Sequence, residues 1–513
     1  MSFAKATAEP GSFAGQAIWM ITAKGVALAL ALALPLILAR LFHQEEMGLY
    51  RQAFQILTTS LSLLGLQVAA TTYYFTPREP DRKSQVVLNV LLFYLSIGVI
   101  VASLFICFPR WITPIMNGEG LVPIMPLLGG AILLWLVGLN LECVPIALGD
   151  IRWSAVTTVL MQLMKTSLLV AAALIGGSVR AMLIAAVVIG IVHCSVYLTY
   201  LRRKFGNFWE GFDWSLLKAQ LANALPFGIG SIVYVVQFDM HHYYVSAHFS
   251  AAEFAVYSIG CFQLPILQVL IEGMETVLLP EISRLENIRD FKQIFNVWTN
   301  SVRMLAFFFF PVCSVLFVLR WEFIETLFTA KYFGATAIFA INLFNLLLYV
   351  LLIGALLRAF PELKYFRIKF CVVLLPITFA ALHFGLKAGG MVGVIAAVAL
   401  TRLFDAGVTL VAIGRRLKLT LGDLKQFAAL WRLAVVALIA ALVTELVKLA
   451  MTGLPVQLIL ALGSLAYGAV YLVALFLSGA VTPAEQLQLR ALWQKFFRFG
   501  VMRTNISSAT EVQ

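Results

Sequence analysis

Charge is the scarcest component of this sequence. Asp, Glu, Lys and Arg make up 12% of 513 residues, against about 25% in an ordinary soluble domain. So few charges cannot cover the surface of a soluble protein of this size. Cysteine is scarce too, and its placement excludes two classes. Cys107, Cys143, Cys194, Cys261, Cys313 and Cys371 lie singly in or beside apolar runs, with no disulfide framework and no paired metal-ligand spacing. They read as small apolar packing residues. Nothing in the chain resembles a phosphate-cradling glycine loop, a nucleophile elbow or a zinc motif. An enzyme is therefore a poor reading, and no cofactor is expected. His241, His242 and His248 do not make a metal site by spacing, and His193 and His383 read as packing or interfacial residues. Residues 1–12 are short and polar, and the apolar run after them is longer than a signal core, so no cleavable signal is expected.

Apolar residues are what the chain has in excess, at 61%. Lipid is the solvent that tolerates them, and roughly 20 such residues span its hydrocarbon core. Apolar runs punctuated by charge, Pro and Gly predict an all-α, polytopic membrane protein of about fourteen spans. They fall at 14–39, 50–75, 86–108, 124–148, 155–175, 181–201, 221–246, 252–280, 300–320, 336–357, 369–386, 390–413, 431–451 and 456–478. The connecting loops are too short for an extramembrane domain. Thr482 to Gly500 mixes Leu487, Leu489, Leu492, Trp493, Phe496 and Phe497 with Arg490, Lys495 and Arg498. That pattern predicts a helix lying on the membrane surface, with a solvated tail as the alternative.

The net charge of +12 is not a nucleic-acid signal once its location is traced. With the N-terminus in the cytoplasm, the inner side holds about 25 of the Lys and Arg residues and the outer side about eight. That asymmetry predicts an even number of spans with both termini inside, and it accounts for the charge as topology. A weak repeat is also present. Glu46 and Tyr50, after the first span, match Glu253 and Tyr257, after the seventh, at an offset of 207 residues. Internal repeats of this kind mark many transporter folds, with substrate between the halves.

Four stretches carry a family resemblance. They are Leu38-Ala39-Arg40-Leu41-Phe42 followed by Met47-Gly48-Leu49-Tyr50; Ala224-Leu225-Pro226-Phe227-Gly228 with Phe238-Asp239; Glu253-Phe254-Ala255-Val256-Tyr257; and Leu279-Pro280-Glu281-Ile282-Ser283-Arg284. The sequence resembles the Wzx-like polysaccharide flippases of the multidrug/oligosaccharidyl-lipid/polysaccharide superfamily. Phe254-Ala255 departs from the pattern, where such proteins often carry a glycine before the tyrosine. The resemblance implies two six-helix bundles, over 1–205 and 206–425, around a central V-shaped cavity. Two additional helices at 426–480 and a cytoplasmic amphipathic tail at 481–513 complete the implied organisation. It also implies the substrate, an oligosaccharide on a polyprenyl diphosphate, turned from the inner to the outer leaflet of the inner (plasma) membrane.

A diphosphate cannot cross hydrocarbon without cations in a wet, protein-lined cavity. Ionisable residues at membrane depth are costly and point to function. Lys24, Arg51, Lys165 and Arg402 are the candidate cavity cations, with Arg303 as an interface anchor. Lys24 lies roughly 15 Å deep at 1.5 Å per residue. Glu142 could neutralise Lys165, and Asp405, three residues on, could neutralise Arg402. Glu445 sits near Lys448. Asp239, Glu272 and Glu275 are candidates to carry a coupling proton or sodium ion, or else to close structural pairs. Gln52, Gln55, Tyr234 and Gln237 suit sugar hydroxyls and equally suit helix–helix hydrogen bonds. Gln67, Tyr243 and Tyr244 extend the same polar, aromatic set. The alternatives to a flippase are a multidrug/ion antiporter of the same superfamily and a membrane glycan polymerase. Lys24 in the first helix favours an anionic substrate over the first, and the absence of a long outer loop argues against the second.

Overall fold

The computed structural model describes residues 13–112, 116, 119–209, 211–420 and 422–479, and no strand occurs among them. The two expectations for the termini, at 1–12 and at Thr482 to Gly500, lie outside the described residues. In chain order the principal helices are α1 (Phe13–Leu41), α2 (Gln44–Leu64), α3 (Thr71–Arg78), α4 (Lys83–Cys107), α5 (Met125–Gly138) and α6 (Asn140–Ala147). There follow α7 (Ile151–Gly176), α8 (Val179–Phe205), α9 (Trp214–His248), α10 (Ala251–Gly260), α11 (Pro265–Asn287) and α12 (Phe291–Val318). The last are α13 (Arg320–Phe328), α14 (Ala335–Leu348), α15 (Ile353–Ala359), α16 (Pro361–Arg416), α17 (Ala428–Leu449) and α18 (Val456–Leu477).

Eleven segments among the described residues are long and apolar enough to cross a bilayer, and the bent pair α10–α11 makes a twelfth. Two features bring this to the fourteen segments expected. The first is inside α16, where Gly389 and Gly390 leave helical geometry, Gly390 at φ +56°. Only glycine adopts that conformation at no steric cost, and it breaks α16 into the two expected spans at 369–386 and 390–413. The arms touch: a Cβ on Gly393 would stand 1.9 Å from the Gly385 carbonyl oxygen. The second is α2–α3, which covers the expected 50–75 segment but is too polar to count as a span by apolarity. Its break is an ordered elbow. Leu66 and Gln67 adopt positive φ of 45° and 59°, and the buried Tyr94 hydroxyl accepts from Ala69 N–H and donates to Gly65 O, both at 2.8 Å. Backbone freed by the break thus keeps hydrogen-bond partners, as lipid requires.

The chain forms two compact units. The first comprises Met1–Gln268, Ile324–Asn345 and Phe360–Thr409. In it α1 packs along α7, α5 lies between α4 and α8, and α2 lies against α10. One core gathers Val87, Leu91, Tyr94, Leu136 and Tyr197. A second gathers Tyr244, Val245, Tyr257, Val394 and Val398. Several family stretches have local reasons here. The Arg40 guanidinium donates to Thr326 O and Leu327 O, each at 2.7 Å, capping the last carbonyls of α13. Gly228 lets α9 reach the elbow, since a Cβ there would lie 2.7 Å from Leu66 O. Gly48 lets α2 reach α10, since a Cβ there would fall 1.8 Å from Ala251 O. Gly48→Ala must therefore push backbone against backbone. We expect a loss of about 1–3 kcal/mol, seen as a lower melting temperature of the purified protein.

The second unit comprises Val269–Phe323, Leu346–Ala359 and Leu410–Gln513. Here α17 packs between α12 and α18. Trp298 Nε1 donates to Leu351 O at 2.8 Å, and the Ser314 and Tyr467 hydroxyls meet at 2.5 Å. Lys448, near Glu445 in sequence, instead pairs with the buried Glu322 at 3.0 Å. Glu322 satisfies the amine from across the unit, which an i−3 neighbour on the same helix does less well.

Candidate functional site

The site begins with why α2 is polar. Glu45 and Glu46 occupy its first turn, where the helix dipole favours them. The residues that follow turn polar groups into the protein. Gln52 is 1% exposed, and its amide donates to Met116 O at 3.1 Å and to Ser246 Oγ at 2.8 Å. That is the helix–helix bond between α2 and α9. Its neighbour Arg51 lines a cavity of about 180 Å³ together with Gln55, His242, Ser258, Cys261 and Gln263. Arg51 makes no ion pair among the described residues, and its buried Nε has no hydrogen-bond partner there. One turn further along α2, Gln55 Nε2 donates to Thr59 Oγ1 at 3.1 Å, and Thr59 Oγ1 donates to Asp239 Oδ2 at 2.6 Å. Arg402 lies over the Phe238 ring, 4.7 Å from its centroid, within electrostatic reach of His241 and His242.

Of the residues singled out in the sequence, Arg51, Gln55, Asp239 and Arg402 thus gather around α2, α9 and α16. Tyr234 is half exposed and stacks on Phe238 at 5.9 Å, and Gln237 has a buried Oε1 with no partner among the described residues. Lys24 and Lys165 lie apart from this group, on the adjacent helices α1 and α7. Glu272 and Glu275, on α11, lie in the second unit, where Glu275 pairs with Arg358 and Glu272 is exposed.

Two expected pairings are exchanged for others. Glu142 pairs with Lys24 at 2.9 Å, not with Lys165. Lys165 is instead 4.5 Å from the centroid of Trp135, whose face attracts a cation. Asp405 does not pair with Arg402. Arg367, on the other arm of α16, forks onto both oxygens of Asp405. A bidentate fork is stronger than an i,i+3 contact along one helix, and it leaves Arg402 to its aromatic partner. The Lys24–Glu142 pair is about half exposed on both sides.

Sequence reasoning missed the break between α10 and α11. The segment 252–280 reads as continuous, but α10 stops at Gly260, α11 restarts at Pro265, and the two are bent by 50°. Pro265 was an available signal, because the residue before a proline is disfavoured in a helix. The break delivers Cys261 and Gln263 to the cavity wall.

A model of the family described as polysaccharide biosynthesis protein matches residues 37–337. The chain belongs to that family. The matched stretch includes Arg51, Gln55, Asp239 and the α10–α11 break. No curated protein matches the sequence significantly. Among solved structures, the chain is similar to the lipid II flippase MurJ in an inward closed conformation. The TM-score is 0.68 at 14% identity, over 89% of this chain and 98% of that one. It is similar to an inward-facing multidrug resistance MATE family transporter of the MOP superfamily, at TM-score 0.60 and 15% identity, over 76% and 94% of the two chains. A MOP superfamily transporter from Pyrococcus furiosus matches at TM-score 0.52 and 13% identity, over 79% and 94%. The fold of this multi-pass membrane protein is therefore that of the MurJ and MATE transporters.

Proposed function

We propose that this protein is a flippase that moves a polyprenyl-diphosphate-linked oligosaccharide from the inner to the outer leaflet. One observation carries the reading: Arg51, with no acidic partner among the described residues, lines a cavity with two amides (Gln55, Gln263), the Ser258 hydroxyl, His242, Cys261 and two phenylalanines. Such a group is a phosphate seat. At an effective dielectric of 20, a cation 4 Å from an anion contributes about 4 kcal/mol, enough to offset much of a phosphate's loss of water. Gln55, Ser258 and Gln263 then face sugar or phosphate oxygens, Tyr234 and Gln237 extend the polar wall, and the lipid tail stays in the bilayer. Lys24, Lys165 and Arg402 are further cations along the route. In this reading helices of 1–205 and 206–425 are the two moving bundles, both termini are cytoplasmic, and the protein sits in the plasma membrane. The test is direct. Purified protein in vesicles should make a labelled lipid-diphosphate glycan accessible to a membrane-impermeant quencher, and a polyprenyl-diphosphate glycan that stays in one leaflet refutes the proposal.

Two variants probe its parts. Lys24→Ala should abolish flipping at normal abundance, because an exposed ion pair contributes only about 0–1 kcal/mol to stability; Lys24→Arg should keep part of the activity. Normal flipping by Lys24→Ala removes that lysine from the route. Asp239 is the proposed seat of a coupling proton or sodium ion, held by Thr59. Asp239→Asn should erase the dependence of flipping on an imposed ion gradient, whereas unchanged dependence in it and in Glu272→Gln sets both carboxylates aside.

A further inference from the structure

The side chains of His241, His242 and Cys261 offer ligand atoms that all lie within 4.8 Å of one another. We propose that they form a site for one transition-metal ion of the zinc class, with its fourth position open to the Arg51 cavity. This inference stands independently of the flippase reading. Three further features point to it. His241 is 5% exposed, and its Nδ1 meets the Tyr257 hydroxyl at 2.8 Å. That contact occupies one ring nitrogen and leaves Nε2 to bind, the usual way an outer partner orients a ligating imidazole. His242 Nδ1 is buried with no hydrogen-bond partner among the described residues, a cost that a metal bond would remove. Cys261 sits in the α10–α11 break, and irregular backbone inside a bilayer is tolerated where it lines a cavity, commonly at an ion site.

The geometry needs a small closure. Around a tetrahedral ion with Zn–N near 2.0 Å and Zn–S near 2.3 Å, ligand atoms stand roughly 3.3–3.8 Å apart, which a side-chain rotation at Cys261 or His242 supplies. Arg402 lies within electrostatic reach of both histidines and Arg51 of His242. Two imidazoles and a thiol offer no oxygen ligand, so magnesium and calcium do not suit the site. The nearby Arg402 cation favours the Cys261 thiolate, which with imidazole selects a softer ion. On binding, the Cys261 thiol releases its proton to water and the metal–sulfur bond forms. No electron transfer is involved.

The test is a Co²⁺ titration of the untagged, metal-stripped protein in detergent, using cobalt as the only ligand. We expect one equivalent to bind with a sulfur-to-cobalt charge-transfer band. Zn²⁺ should displace the cobalt and raise the melting temperature. Cys261→Ser should lose the band, Tyr257→Phe should weaken binding about 10-fold, and His248→Gln should change neither. Should Cys261→Ser not be monodisperse, a variant keeping Cys261 as its sole cysteine should retain the band. Absence of the band in the native protein, its persistence in Cys261→Ser, or its loss in the sole-cysteine variant overturns the site.

Discussion

Arg51→Ala is expected to stop glycan flipping while leaving the protein monodisperse and at least as heat-stable as the native chain. The two halves of that result come from one fact. Arg51 is a charge with no acidic partner among the described residues, inside a protein-lined cavity, so removing it relieves a desolvation penalty instead of breaking a pair. The same removal takes away the phosphate's fork. Each hydrogen bond to a charged group contributes about 1.5–3 kcal/mol. Losing a bidentate pair therefore lowers affinity for the diphosphate by about 10²–10⁴-fold at 1.4 kcal/mol per decade. Arg51→Lys keeps the charge without the planar fork and should flip at an intermediate rate. A vesicle flipping assay beside a thermal melt reads both quantities. Native flipping by Arg51→Ala would leave the phosphate-seat reading without its carrier, and a large fall in melting temperature would make Arg51 a structural residue.

The opposite signature is expected at Arg367 and Asp405. Their bidentate pair is mostly buried, at 22% and 18% side-chain exposure, and it ties the two arms of α16 together. Removing one member strands the other charge, at about 3–5 kcal/mol. Arg367→Ala should therefore lower both the melting temperature and the amount of protein in the membrane. The double variant Arg367→Met with Asp405→Leu should recover most of that loss, because an apolar pair needs no compensation. If Arg367→Ala melts normally but does not flip, the pair belongs to the substrate route and not to the scaffold.

These two predictions also mark where sequence reading succeeds. Spans were legible because lipid imposes length and apolarity locally: α4, α8 and α18 each announce themselves within about 25 residues. Close approaches were half legible, since Gly48 and Gly228 appear in family stretches but their partners Ala251 and Leu66 do not follow from them. Arg51 stood out as a cation at the start of an expected span, but its burial and its cavity did not. Pairings were the least legible. Lys24 found Glu142, and Arg367 found Asp405 across a hairpin of 38 residues, because a side chain's partner depends on which helices end up adjacent. Local rules such as i,i+3 name only the partners available before that packing exists. The α10–α11 break was hidden for a related reason. Its residues are apolar enough to continue a span, and Gly260 and Pro265 were the local signs of interruption.

The polarity of α2 has a consequence for how the chain enters the membrane. During synthesis each segment is offered to the bilayer singly, and one arginine near the middle of a helix raises its insertion free energy by about 2.5–3.5 kcal/mol. The α2 segment carries Glu45, Glu46, Arg51, Gln52 and Gln55 against eight strongly apolar residues among its 21. It is therefore expected to integrate poorly on its own. A nascent chain ending soon after Leu64 should leave α2 outside the hydrocarbon, and a chain that also includes the strongly apolar α4 should draw it in. Arg51 therefore reaches its cavity only when later helices have arrived to enclose it, and its order of entry differs from its order in the sequence.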